Sequence, residues 1–296
     1  MNLDPRLLPD RPFDRWHAPR IFAHTLFSHL RDHRRAPRGN PPPGPVFVVG
    51  SPRSGTTFLG AALARIPGTS YQFEPVAVKA AVPYIWSGIW PEEKSRRLVT
   101  GVHTFLKAIQ LEQGRTLIEK TPRNVFIVPQ LSRWYPEARF VGLIRDGRDV
   151  AASWSQRPWL ASRFRRRCEP GGYRYGPRPP FWVEPERIEE FATTSTEHRC
   201  IWGWRAHTEQ WLRVREDLDP GRWLEVRYEE LVSEPLRHAE KLAGFLGLDG
   251  PARIRLEAAL ASARPGSVGA WRTSPVASDP RALAEAAELL DRLGYR

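Results

Sequence analysis

Residues 46–63 read VFVVGSPRSGTTFLGAAL: an apolar strand, a polar loop bounded by Gly50 and Gly55, and an apolar helix starting near Thr56. No other stretch constrains the fold as strongly. A strand that runs through a Gly-rich loop into a helix aims backbone N–H groups and the positive end of the helix dipole at one spot, which makes a cradle for an anion. The loop differs from the nucleotide-hydrolysing pattern G-x-x-x-x-G-K-[ST], because Thr56 stands at the Lys position and Thr57 follows. Arg53 lies inside the loop, where a guanidinium can do part of the work of that lysine while the Thr hydroxyls donate to the remaining oxygens.

The rest of the chain repeats the strand-then-helix alternation. Strands are expected at 46–50, 70–73, 116–119, 139–144 and 223–228. Helical patterns fall at 56–66, 92–111, 124–134, 147–156, 186–217, 235–246 and 252–263, and PRALAEAAELLDRLG supplies a C-terminal helix. Strands separated by helices imply an α/β domain, a P-loop type parallel sheet with helices on both faces. Residues 1–45 read as an N-terminal helix (21–35) and a Pro-rich linker, docked on a main domain spanning 46–296. Within that domain, 156–185 is rich in Arg, Pro, Gly and aromatics without a period, and is expected to be a lid in which Trp159, Phe181 and Trp182 can stack on an acceptor.

The formal net charge is +12, from 45 basic and 33 acidic residues. Only five of the basic residues are lysines, and arginine suits bidentate contact with phosphate and sulfate. High Ala, Pro and Gly content accounts for most of that excess, so particular placements carry more weight than the total. The two cysteines, Cys168 and Cys200, have no partner spacing for a disulfide framework or metal, and are expected to be free thiols in a reducing compartment. The first residues have no apolar signal region, and no segment approaches about 20 apolar residues, so a cytoplasmic protein without a membrane span is expected. No metal site is expected.

A second stretch, ARFVGLIRDGRDVAASW, is again strand, charged turn and helix, with Arg145 at the strand end and Ser153 eight residues on; taken alone, Arg145, Arg148 and Asp149 read equally well as a solvated ion-pair turn. Taken together, GSPRSGTT and, about 90 residues later, LIRDGRDVAAS resemble the two signatures of sulfotransferases that use 3′-phosphoadenosine 5′-phosphosulfate (PAPS) and release PAP. The resemblance implies that Arg53, Ser54, Gly55, Thr56 and Thr57 hold the 5′-phosphosulfate and that Arg145 and Ser153 hold the 3′-phosphate. It also explains the absent lysine, since the family hydrolyses no γ-phosphate and needs no Mg²⁺. VRYEELV resembles the family's Tyr-Glu-Asp/Glu-Leu segment and places Tyr228 beside the nucleotide. ARPGSVGAWR resembles the late phosphate loop, matching at Arg264, Gly266, Gly269 and Trp271, with Pro265 where the family has Lys and Ser267 as a substitute hydroxyl.

The same resemblance bears on the base. Cytosolic small-molecule sulfotransferases carry Lys-Thr-His between the signatures, but here IEKTPRNV puts Pro122 at the His position. Tyrosylprotein and several carbohydrate sulfotransferases use a Glu, in the tyrosine enzymes 21 residues after the loop Arg, and Glu74 follows Arg53 by that spacing. Glu74 as the base and Lys120 beside Arg53 as a charge-stabilising group are therefore implied. A simpler reading makes Glu74 a turn cap before Pro75 and Lys120 a strand-end ion-pair partner. Glu119 is the substitute base, although its place in an apolar strand reads better as a partner for a cation.

The expected partners are PAPS and a small-molecule or glycan acceptor bearing a hydroxyl, or less readily an amine, with no nucleic acid. Two other readings stay open: a divergent P-loop kinase or NTPase, and a basic polyanion-binding protein using the RFRRR run. The acceptor and the oligomeric state are not legible in the sequence.

Overall fold

The structure is a computed structural model that describes residues 18–31, 36–157 and 179–295. Five strands, β1 (Val46–Gly50), β2 (Thr69–Phe73), β3 (Thr116–Lys120), β4 (Arg139–Ile144) and β5 (Trp223–Arg227), form one sheet in the order β2-β3-β1-β4-β5. Every neighbouring pair is parallel. Central β1 reads as a short apolar run, with all five residues buried, because both faces of a parallel sheet are covered, whereas edge strand β2 (TSYQF) is more polar.

Side-chain alternation along β1 divides the core in two. Phe47 and Val49 face a layer containing α3 (Val76–Trp86), α4 (Glu92–Ile109), α6 (Gly147–Ser155) and α8 (Thr196–Val214). Val46 and Val48 face α2 (Thr56–Leu63), α10 (Pro235–Leu246) and α11 (Gly250–Leu260). The first layer is filled by Trp202, Trp204 and Trp211 of α8, all fully buried. α12 (Pro280–Arg292) packs against α8, and α1 (Ala18–Arg31) lies on α3, where the Thr25 hydroxyl accepts the Ala77 N–H at 3.0 Å.

Three features differ from the sequence expectation. α3 is a helix that periodicity did not show, because VAVKAAVPYIW is apolar all round, contains Pro83 and is nearly all buried. The long helix expected at 186–217 is broken: α7 (Ile188–Thr193) ends before Ser195, whose hydroxyl accepts the His198 N–H and caps α8. Phe181 and Trp182 do not reach for an acceptor. They pack into the core with ring centroids 4.9 Å from Phe126 and 4.9 Å from His207 respectively, since burying such large rings outweighs leaving them on a surface segment. Residues 158–178 of the expected lid, with Trp159, Cys168 and the RFRRR run, lie outside the described residues.

No described helix is long and apolar enough to cross a membrane.

Candidate active site

All four motif loops lie at the C-terminal edge of the sheet, where open α/β sheets bind ligands. The first leaves β1 at Gly50, passes through Arg53 and enters α2 at Gly55, whose φ is 91°. A Cβ there would sit 2.5 Å from Cδ2 of Tyr228, so glycine is required both by the backbone and by the ring against it. No side chain caps α2. The Ser54 hydroxyl is fully buried and has no hydrogen-bond partner among the described residues. A buried donor left unmade in the protein alone is what a cradle for an external anion produces.

The second loop supplies a hub. Arg145, at the end of β4, donates to the Arg53 carbonyl at 3.0 Å and the Ser267 carbonyl at 2.7 Å, and its guanidinium lies 4.2 Å from the Tyr228 ring centroid. Its Nε is buried without a partner among the described residues. The Tyr228 hydroxyl meets the Ser267 hydroxyl at 2.8 Å, and Arg53 Nε donates to Ser153 Oγ at 3.0 Å. Arg53, Arg145, Ser153, Tyr228 and Ser267 are thus one connected group drawn from four separate segments. Burial, then Arg157 and Arg145, push the Arg53 guanidinium below its ordinary basicity, with Glu74 opposing. Cations crowded in this way favour a bound anion.

Two sequence-selected residues stand apart from this group. Arg264 is exposed, and among the described residues its only hydrogen bond is to the Ala263 carbonyl at 3.4 Å. Gly266 is exposed, with open space where a Cβ would be. The late loop is instead fastened by Asp149, whose carboxylate accepts the N–H groups of Gly269 at 2.8 Å and Trp271 at 3.0 Å. The sequence offered Asp149 only as part of a solvated ion-pair turn, but it is buried, and its partners are backbone groups some 120 positions away that no local pattern shows.

A third cluster forms where β2 and β3 end side by side. The Glu74 N–H donates to the Lys120 carbonyl at 2.9 Å, extending the ladder by one bond. Lys120 Nζ, on a fully buried side chain, lies 2.5 Å from Glu74 Oε1, 3.1 Å from Thr57 Oγ1 and 3.8 Å from the Phe73 ring centroid. Lys79 of α3 binds the other carboxylate oxygen at 3.1 Å. Burial alone would raise the Glu74 pKa, but Lys79 and Lys120 overcome it and bring the carboxyl down to about 2. Lys120 is pushed down by burial while Glu74 holds its charge in place.

Only three described non-glycine residues have positive φ, and two of them are Arg53 (71°) and Glu74 (42°). Strained backbone of this kind costs on the order of 1–3 kcal/mol per residue and persists where surrounding structure enforces it, commonly at functional sites.

Glu119 goes the other way. Alternation along β3 turns it to the face opposite Lys120, fully buried, where the Thr121 hydroxyl and Asn124 Nδ2 (2.8 Å) bond its two oxygens. Its partners are neutral groups, not the cation expected, and burial lifts its pKa to about 8.

Outside this edge, Glu190, His198 and Glu285 bring ligand-type atoms close together, but Arg187 and Arg205 each bond Glu285 at 2.7 Å. The guanidiniums make that cluster an ion-pair network joining α7, α8 and α12.

The profile described as "Sulfotransferase family" matches residues 91–251, more than half of the chain. The chain belongs to the sulfotransferase family. The matched span includes Lys120, Arg145, Ser153 and Tyr228, while the loop 50–57 and Glu74 precede it. Similar proteins include one from Caenorhabditis briggsae, provisionally named a protein-tyrosine sulfotransferase, which is 25% identical over 69% of this chain and 65% of its own length. An uncharacterized protein of Aquifex aeolicus is 27% identical over 73% of this chain, which spans only 27% of that longer protein. Among solved structures, the sulfotransferase domain from the curacin biosynthetic pathway aligns with TM-score 0.56 at 16% identity, covering 87% of this chain and 99% of that domain. The chain therefore shares its fold with a domain that it barely resembles in sequence.

Proposed function

We propose that this sulfotransferase moves the sulfuryl group of PAPS to an acceptor hydroxyl. The reading rests on one arrangement: a carboxylate–lysine pair, Glu74 and Lys120, held against the first turn of the helix whose loop carries Arg53 and the unpartnered Ser54 hydroxyl. Arg53, Ser54, Gly55, Thr56 and Thr57 would hold the 5′-phosphosulfate. Arg145, Ser153, Tyr228 and Ser267, with Arg264 and Gly266 from the same late loop, would hold the 3′-phosphate. The orphaned Ser54 hydroxyl and Arg145 Nε, and the mutual repulsion of the guanidiniums, fit such an anion.

When bound, PAPS supplies the activated sulfuryl group and carries away the leaving phosphate as PAP. Glu74 takes the acceptor hydroxyl proton on its carboxylate. Arg53 and Lys120 place positive charge where negative charge builds on the leaving phosphate. With Lys120 spent on Glu74, the carboxylate is a weak base. A competing anion that draws Lys120 toward the cradle strengthens Glu74 at the moment it is needed. The acceptor class, a small molecule or a glycan, is set by surfaces beyond this edge.

The test compares nucleotides. PAP raises the thermal midpoint by mass action, and ATP does so less, because Arg145, Ser153 and Ser267 have no 3′-phosphate to hold. Equal shifts from the two would remove the donor assignment and favour a phosphoryl-transfer reading.

A further inference from the structure

A cavity of about 250 Å³ opens at the opposite end of the sheet from the cradle. Its walls are Pro45 at the entry to β1, Arg115 and Thr116 at the start of β3, His103 and Lys107 of α4, and Tyr135 beyond α5 (Val128–Trp134). β1 and β3 both run from this cavity to the catalytic edge. At about 3.3 Å per residue, five residues of strand separate the two ends by roughly 16 Å.

The lining is cationic and underused. Lys107 is half-buried, and its ammonium makes no hydrogen bond among the described residues. Burial lowers its basicity and Glu112 partly restores it. Arg115 spends Nη1 on the carbonyls of Ala36 at 2.6 Å and Thr69 at 3.3 Å, while its Nε and Nη2 bond nothing among the described residues. Thr116 gives its hydroxyl to the Pro42 carbonyl. His103 is buried, joined through Nδ1 to the Tyr135 hydroxyl at 2.7 Å, and kept neutral by burial, then by His29 and Lys107.

Two cations with spare N–H donors on a volume a few atoms across select for one kind of guest. An apolar guest would strip water from both charges without replacing it, and a cation would meet like charge. A planar guanidinium fork beside a point ammonium matches an oxyanion. We propose that this cavity is a second binding site, distinct from the cradle, for a small tetrahedral oxyanion such as the phosphate or sulfate group of a metabolite, held by Lys107 and Arg115. The occupant bridges α4 to the first residues of β3. The inference is independent of the donor assignment.

Because the cradle also attracts oxyanions, the readout must be local. Full-length protein labelled with ¹⁵N-histidine reports His103, identified by the resonance lost in His103→Gln. Inorganic phosphate is titrated in one arm and inorganic sulfate in another, against sodium chloride at equal ionic strength. The expected result is a saturable His103 shift with phosphate, sulfate or both, at an affinity of about millimolar, weakened about tenfold by Lys107→Glu. The Lys107 side chain makes no hydrogen bond among the described residues and is only half-buried, so this variant keeps the fold. Which arm saturates identifies the preferred anion. A His103 signal that moves no further with either anion than with chloride overturns the site, as does a titration that Lys107→Glu leaves unchanged.

Discussion

Lys120 Nζ stands 2.5 Å from Glu74 Oε1, on the last residue of β3 and the first residue beyond β2. The register that aligns Phe73 with Lys120 fixes this pairing through the backbone, before side-chain chemistry acts. Lys79 takes the remaining carboxylate oxygen, so the proposed base is ionised and doubly held in the free protein.

Glu74→Gln should therefore abolish most turnover while PAP affinity stays near that of the parent. Glutamine keeps the size and one accepting oxygen but takes no proton at neutral pH. The expected loss is on the order of 10² to 10⁴ in kcat, read from steady-state rates with PAP affinity measured in parallel by calorimetry.

The same carboxylate sets an acid limit on stability. Its folded pKa, about 2, is depressed from the ordinary 4.5, so its stabilising contribution is complete above 4.5 and is lost as pH falls toward 2. Glu119 has the opposite sign: its folded pKa is raised to about 8, so its contribution is complete below 4.5 and is lost as pH rises through 8. Thermal midpoints measured across pH should show a shallower acid slope for Glu74→Gln and a shallower slope between pH 4.5 and 8 for Glu119→Gln. Parallel curves for all three proteins would refute both assignments.

Ser54→Ala should separate binding from folding. The hydroxyl is buried and unpartnered, a situation that costs about 1–3 kcal/mol, so its removal leaves the midpoint of the nucleotide-free protein unchanged or higher. The upward shift caused by PAP should shrink. A large drop in the nucleotide-free midpoint would mean that the hydroxyl has a structural partner.

Asp149→Ala should free the late loop, since the carboxylate holds the N–H groups of both Gly269 and Trp271. Hydrogen bonds to a charged group are worth about 1.5–3 kcal/mol each, so PAP affinity should fall at least about tenfold. Calorimetric titration of PAP checks it, and affinity within twofold of the parent would show that the loop is held by other contacts.

β1, β4 and β5 were legible because an apolar-rich run leads into a loop with its own chemistry: Gly50 closing β1, Arg145 after β4, Tyr228 after β5. Glu74 and Lys120 were found through spacing and family resemblance, and β2–β3 register explains why residues 46 apart in the chain belong together. Lys79 was passed over because it sits on α3, a helix without an amphipathic period. Phe181 and Trp182 were assigned to a surface lid by the composition around them, whereas the core had room for their rings. Arg264 matched a motif, yet the structure leaves it at the surface and gives the fastening of its loop to Asp149.

The most direct test of the account is sulfuryl transfer itself: purified protein is incubated with ³⁵S-labelled PAPS and pools of hydroxylated small molecules and glycans, and labelled product and PAP are quantified for the parent and for Glu74→Gln. The account predicts labelled product with stoichiometric PAP from the parent, and product from Glu74→Gln reduced by about 10² or more despite retained PAP binding. Transfer by Glu74→Gln at the parent rate would contradict it.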